Sequence, residues 1–368
     1  MKKITKSKRT KIKRRKSNKN PKSQYKLLSS NTDGNNRFTV MTFNVELFLN
    51  LYDFSMSGNT ITSAAIIPSK MADFNNLFEN IDIACIQETY IPDTKDTANG
   101  LRIFDNTINH LQISHICKSH ILDWNNATYL CGDPSYLANA VYVSDTLGSI
   151  PKKKRKKRPD ADAHKINKNG LDRCFSISTI RISNKPCTVI SVHLIGGRFD
   201  DIEAITNPAF SEEKINQVKQ IVSMSPDIIC GDFNTKIRTP MTETNTDVYF
   251  QTILSSMGNI SKAKQKEYKR LWEKWIYMDD IHTYLTDQGY KSVYYSPDGS
   301  LNTSITDTSA FGGIVDMIYY KSTSIELVGT AEIVGKDTVM SSPTDSNMYY
   351  TPLLSDHYPV KATFALKS

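Results

Sequence analysis

The chain has 368 residues, 39% hydrophobic and 23% charged, a globular composition with enough apolar residues for a substantial core. Its formal net charge of +8 is unevenly placed: residues 1–22 carry twelve Lys or Arg and no acid, 152–158 are seven consecutive cations, and the remainder holds 27 basic against 38 acidic residues. Six cysteines show no CxxC pair, and Cys85, Cys187 and Cys230 lie in or beside apolar runs where a free thiol acts as a small hydrophobe. No apolar signal-peptide core follows the basic N-terminus and no run approaches the roughly 20 apolar residues of a bilayer span, so the expectation is an intracellular protein, neither secreted nor membrane-spanning.

Residues 1–36 are rich in Lys, Arg, Ser and Asn with little to bury, and read as a disordered basic tail ahead of one body over 37–368. Apolar, β-rich runs then recur at 38–43, 81–86, 139–143, 174–182, 187–194 and 227–230, and again at 292–296, 314–320, 324–334 and 358–366. Between them, 69–80, 211–224 and parts of 262–289 have helical character. In the second of these Ser211 is the expected N-cap, with Ile215, Val218, Ile221 and Val222 on one face. In the third, Trp272 and Trp275 are three residues apart and belong on the inner face, while Asp279 and Asp280 read as surface residues at a helix end. Residues 151–170 form an exposed basic loop around PKKKRKKRP, because seven adjacent cations flanked by prolines cannot enter a core. Several strand runs are too continuously apolar for a sheet with one wet face, and some strands follow one another without a helix. That pattern predicts an α/β protein in which two packed sheets are flanked by helices.

Polar residues close these runs in a consistent way, where strands should end, so that Glu88 should project from a strand end. Asn44 and Glu46 lie in TFNVE, Glu88 in IQET, His193 in SVHL, Asp232 and Asn234 in GDFN, Asp316 in GGIVDMIYY, and Asp356 with His357 in SDHYPV. Singly, each has an ordinary explanation: a surface Glu, a G-D-x-N turn, a structural His. As a set they match the needs of phosphoester hydrolysis. A hard cation such as Mg²⁺ or Mn²⁺ wants carboxylate oxygens, water must be oriented and deprotonated, and charge on the phosphorus needs donors or cations beside it. Asp232 and Asn234 are one residue apart and can share a side of a turn, and Gly231 allows a close backbone approach.

In order and identity this set resembles the endonuclease/exonuclease/phosphatase superfamily, which includes deoxyribonuclease I, apurinic endonucleases, neutral sphingomyelinases and inositol polyphosphate phosphatases. The QE, GDFN and SDHYPV segments are the most specific parts, and the resemblance spans about 38–366. It implies a four-layer α/β sandwich. It also implies roles: Glu88 as principal metal ligand with Glu46 and Asp356 beside it, Asn44 orienting phosphate or a metal-bound water, and Asp232 activating water or the partner His with Asn234 on phosphate. His193 and His357 would be general acid/base and phosphate binder, with Asp316 supporting His193 and Asp356 supporting His357 or the metal. Arg173 and Arg198 are expected phosphate contacts. His193 stands where apurinic endonucleases carry a tyrosine motif, and GGIVDMIYY lacks the signature of the inositol phosphatases, which weakens both branches.

The expectation is therefore a Mg²⁺- or Mn²⁺-dependent phosphodiesterase, a nuclease acting on DNA or RNA, in a nucleus reached through an import receptor that binds the basic tracts. A lipid or small-molecule phosphoester hydrolase of the same fold is the first alternative. A non-catalytic polyanion-binding protein is the second, and it is disfavoured because the catalytic groups are all retained. The sequence leaves oligomeric state open.

Overall fold

A computed structural model describes residues 36–57, 60–92, 111–121, 135–144, 147, 175–196, 208–239, 243–244, 247–248, 250–251, 254–255, 258–277, 279–296, 298–301, 304–343 and 350–367. The tail over 1–35 and the basic loop at 151–170 lie outside the described residues, as do Arg173 and Arg198.

Two mixed sheets form the centre. The first has six strands in the order β12 (Ile325–Ile333), β13 (Val360–Leu366), β1 (Arg37–Asn44), β4 (Ile83–Pro92), β6 (Ser135–Ser144) and β5 (Leu111–Ile121). The second has five: β10 (Tyr290–Ser292), β11 (Asp316–Lys321), β9 (Ile228–Asp232), β8 (Lys185–His193) and β7 (Phe175–Ile182). A separate hairpin, β2 (Tyr52–Ser57) with β3 (Thr60–Ile66), follows a 3₁₀ turn at Glu46–Leu51.

Alternation along the strands explains why the six-stranded sheet has two dry faces. Val40, Ile83, Cys85, Val141 and Val143 point inward to the inter-sheet core with Cys187, Val189 and Cys230. Their neighbours Met41, Phe43, Ala84, Ile86, Ala140 and Tyr142 form a second core with Phe74 of helix α1 (Pro68–Asn76) and with Phe48, Phe78 and Tyr358. With side chains alternating at a period of two, such strands must read as unbroken apolar runs. Cys85, Cys187 and Cys230 are free and buried, small hydrophobes in effect. Helices α2 (Pro208–Ser223), α3 (Lys262–Tyr277) and α4 (Asp279–Asp287) go with the five-stranded sheet, where Val218, Ile221, Trp272, Trp275, Ile281 and Leu285 join its core. The result is the expected α/β arrangement, two packed sheets flanked by helices.

Local differences from expectation have local causes. Helix α2 begins at Pro208, so Ser211 sits within its first turn rather than capping it; proline is tolerated there because its missing N–H would have had no intrahelical partner. The strand expected at 292–296 ends at Ser292, whose Oγ accepts from Tyr294 N and turns the chain. Strands β2, β3 and β5 were not anticipated, since their sequences mix small, polar and apolar residues without a clear period.

Candidate active site

The strand registers assemble half of the site. On the five-stranded sheet, β11 pairs Asp316 with Asp232, and β8 pairs His193 with the same Asp232, so three chemically active residues lie in one row across adjacent strands. Gly231 makes the row close: its φ is +150°, and a Cβ there would lie 1.9 Å from Val192 O. The facing sheet contributes Asn44 at the end of β1, paired with Gln87 of β4, and next to it Glu88. Beneath them, Gln87 Nε2 donates to Ser191 Oγ at 2.9 Å, a buried polar link between the sheets.

Glu88 is presented differently from the strand-end placement its sequence implied. Strand β4 continues to Pro92, and the pairing with β6 shifts between Ile86 and Thr89, so Glu88 stands in an irregularity of the ladder at φ +54°. Such bulges re-aim a side chain without ending the strand. Glu46 (φ +45°) and Asn234 (φ +49°) also occupy the left-handed region that side chains disfavour. Three such strained residues thus stand at this site.

Asp232 is the hub. Its Oδ1 accepts from Asn234 N at 2.8 Å, a local turn bond that fixes the carboxylate. Its Oδ2 accepts from Asn44 Nδ2 at 3.1 Å and lies 3.5 Å from His193 Nε2 and 3.8 Å from His357 Nε2. The same Asn44 amide donates to Glu88 Oε1 at 3.1 Å, and that oxygen is 3.6 Å from His193 Nε2. Asn44 thus holds two carboxylates together that would otherwise repel.

The supporting partner of each histidine differs from the sequence expectation in one respect. Asp316 was expected to support His193. Instead its Oδ2 accepts from His357 Nδ1 at 2.9 Å, and its Oδ1 has no hydrogen-bond partner among the described residues. The cause is non-local: the loop after Ser355 brings His357 over the β11 end of the row, while His193 sits at the β8 end. Thr308 Oγ1 accepts from both Val315 N and Asp316 N, and Ser355 Oγ bridges Asn44 O and His357 N, so both members of the pair are anchored through backbone. Asp356 Oδ1 lies 3.9 Å from His357 Nε2.

Charge follows from this packing. Burial would lower the His357 pKa, but Asp316, Asp356 and Asp232 together hold it well above its ordinary value, which favours the charged ring. Burial pushes Asp316 up to about 6 against the pull of His357. Glu46, whose Oε2 accepts from Asn50 Nδ2 at 2.6 Å, is pushed up to about 8 by burial, then by Asp356 and Glu88. Burial likewise raises Asp356.

A hard cation fits this chemistry. Glu88, His193 and Asp232 each offer a donor atom within 4.8 Å of the others. Glu46 and Asp356 are further carboxylates of this cluster: burial raises both, and charge repulsion adds to it, from Asp356 and Glu88 on Glu46 and from Asp232 on Asp356, a repulsion that a divalent ion would relieve. Thr308, Ser355 and Gln87 were not assigned roles from sequence, although Ser355 and Gln87 sit inside the quoted SDHYPV and QE motifs. Asn234 Nδ2 is engaged with Leu194 O at 3.1 Å.

Comparison with known proteins agrees with this architecture. No protein-family model matches the sequence, and no curated protein matches it. Among solved structures, an endonuclease/exonuclease/phosphatase from Beutenbergia cavernae DSM 12333 aligns with 90% of this chain and 72% of its own, at a TM-score of 0.55 and 11% identity. One from Bacteroides vulgatus gives a TM-score of 0.48 at 12% identity over 90% of this chain and 99% of its own. The human Nocturnin catalytic domain gives 0.44 at 13% identity over 90% and 96%. The chain has the endonuclease/exonuclease/phosphatase fold.

Proposed function

We propose that the protein is a divalent-metal-dependent phosphodiesterase whose substrate is nucleic acid. The observation that carries the chemistry is the convergence on Asp232 of two buried histidines, with Asn44 holding Asp232 and Glu88 together. Glu88 would hold the ion, with Asp232, Glu46 and Asp356 as the further carboxylates available to it and His193 beside them. Mg²⁺ or Mn²⁺ there would act as a Lewis acid on the phosphoryl oxygen.

The chain's own groups divide the remaining work. His357, fixed by Asp316, directs Nε2–H at the charge that develops on phosphate oxygens. Asp232, with His193 beside it, orients an attacking water and accepts its proton. The water oxygen bonds to phosphorus as the P–O bond to the leaving group breaks, with no covalent enzyme intermediate. The nucleic-acid reading rests on the basic tracts at 1–22 and 152–158, which would attract a polyanion that the acidic body repels. The same tracts support nuclear import as a second role. A fusion with 152–158 and the 1–22 cluster neutralised should leave the nucleus, and continued accumulation there would refute that address.

The substrate test is a panel under Mg²⁺ with an EDTA control: plasmid nicking, labelled DNA and RNA oligonucleotides, sphingomyelin vesicles and inositol phosphates. Metal-dependent cleavage of an oligonucleotide, with the lipid and small esters left intact, is the expected result. Turnover confined to lipid or small phosphoesters would replace the nuclease reading with the hydrolase alternative.

A further inference from the structure

Helix α2 carries two buried polar side chains, Lys214 and Gln217, with 0% and 8% of their surface exposed. Three residues apart, they share one helix face. Lys214 Nζ donates to Asn234 O at 2.7 Å and lies 4.4 Å from the centre of the Trp275 ring. Gln217 Oε1 accepts from Ile195 N at 3.0 Å. The two bonds reach different loops. One loop leaves β9 after Asp232, and the other leaves β8 after His193.

Those loops are already in contact. Leu194 N donates to Asp232 O at 2.9 Å, and a Cβ on Gly196 would come within 2.8 Å of Asn234 Cγ. A buried ammonium is costly to desolvate, and an apolar side chain of similar length would fill the space beside Trp275 at lower cost. Its use here calls for a polar task. Ile195 N–H and Asn234 C=O lie beyond the strand ladders, so each needs a partner from elsewhere.

We infer that Lys214 and Gln217 are positioning residues: a two-point brace from one helix that sets the spacing of His193 against Asp232. The inference rests on the hydrolase reading for its consequence, though not for its geometry. The brace touches no substrate. It acts by holding both loops from behind, so that His193 Nε2 stays 3.5 Å from Asp232 Oδ2.

The test uses the full chain with Lys214→Met, Lys214→Arg, Gln217→Leu and Gln217→Glu. Amide hydrogen exchange at Ile195 is the readout independent of activity. Gln217→Leu should lower protection there at least tenfold with helix α2 otherwise unchanged, and Gln217→Glu, which keeps the acceptor but sets a second carboxylate against Glu213, should restore it in part. Mn²⁺ titration and hydrolysis of bis(p-nitrophenyl) phosphate are the functional readouts. Lys214→Met and Gln217→Leu should each weaken Mn²⁺ binding about tenfold and lower kcat about ten- to hundredfold with little change in KM, as expected for a small misplacement of reacting groups. Lys214→Arg should recover most of the loss. The double variant should lose no more than the worse single one, because the two bonds serve one spacing. Unchanged Ile195 protection in Gln217→Leu overturns the brace whatever the activity. Normal kcat and Mn²⁺ affinity in folded Gln217→Leu overturn it too. A wild-type chain that hydrolyses nothing refutes the hydrolase reading instead, and Ile195 exchange still decides the brace.

Discussion

The two histidines flanking Asp232 make an instructive contrast. Both are buried, and both aim Nε2 at the same oxygen, at 3.5 and 3.8 Å. His357 has its other nitrogen bound to the buried carboxylate of Asp316, so its proton and orientation are fixed. His193 faces Glu88 and Asp232, the two acids that also belong to the metal-capable cluster. Identical side chains at similar depth thus have different chemistry. What differs is the neighbouring strand: β11 supplies a carboxylate to one, and the six-stranded sheet supplies a carboxylate to the other.

The sharpest way to break the contrast is to remove each ring. His357→Ala should lower kcat by about 10²–10⁴ while divalent-cation affinity, measured by Mn²⁺ titration, stays within about twofold. His193→Ala should lower kcat by a comparable factor and weaken Mn²⁺ binding about tenfold or more. Equal effects on Mn²⁺ binding would erase the distinction. Asp316→Asn should cost less than loss of the ring, with kcat down about 10²-fold, because the amide can hold the ring but cannot stabilise its charge. A matching loss in His193 function would mean that Asp316 serves the other histidine after all.

A smaller effect tests the charge on His357 through stability. Its pKa is raised on folding, so the folded protein binds that proton more tightly than the unfolded chain does. The stabilisation is complete below about 6.5, the unfolded value, and is lost as pH rises through the folded value. Thermal midpoints of the metal-free chain should therefore decline above neutral pH, and His357→Gln should flatten that decline. An unchanged slope would show that the ring is not the titrating group.

The smallest expected effect concerns Glu46. Its carboxyl is pushed up to about 8, so ionisation opposes folding as pH rises from its unfolded value, near 4.5, through that range. With EDTA present at pH above 8, Glu46→Gln should raise the thermal midpoint by a few degrees. With Mg²⁺ the sign should reverse, since the variant loses a ligand. A midpoint that ignores Mg²⁺ in both proteins would remove Glu46 from the metal site.

Which parts of this were readable beforehand follows from how local their causes are. The apolar runs and the polar residues interrupting them are local, so β1, β8, β9, β11 and β13 and the residues Asn44, Glu88, His193, Asp232 and His357 could be picked from the chain. The partner of Asp316 could not, because it depends on which strand lies beside which and on where the loop after Ser355 crosses. The bulge at Glu88 depends on pairing with β6, fifty residues away. Lys214 and Gln217 were hidden for another reason: on an amphipathic helix marked by Ile215, Val218 and Ile221, interspersed polar residues look solvated. Only the packing of α2 behind both loops shows that they point inward.

The central claim is that the groups around Asp232 hydrolyse a phosphoester with a divalent ion. The most direct measurement is release of p-nitrophenol from bis(p-nitrophenyl) phosphate by the purified full chain, with Mg²⁺ or Mn²⁺ and with EDTA, beside folded Asp232→Asn. The account predicts turnover only with metal and a loss of about a thousandfold in the variant, as for removal of a group central to the transition state. Wild-type turnover in Asp232→Asn, or in EDTA, would contradict it.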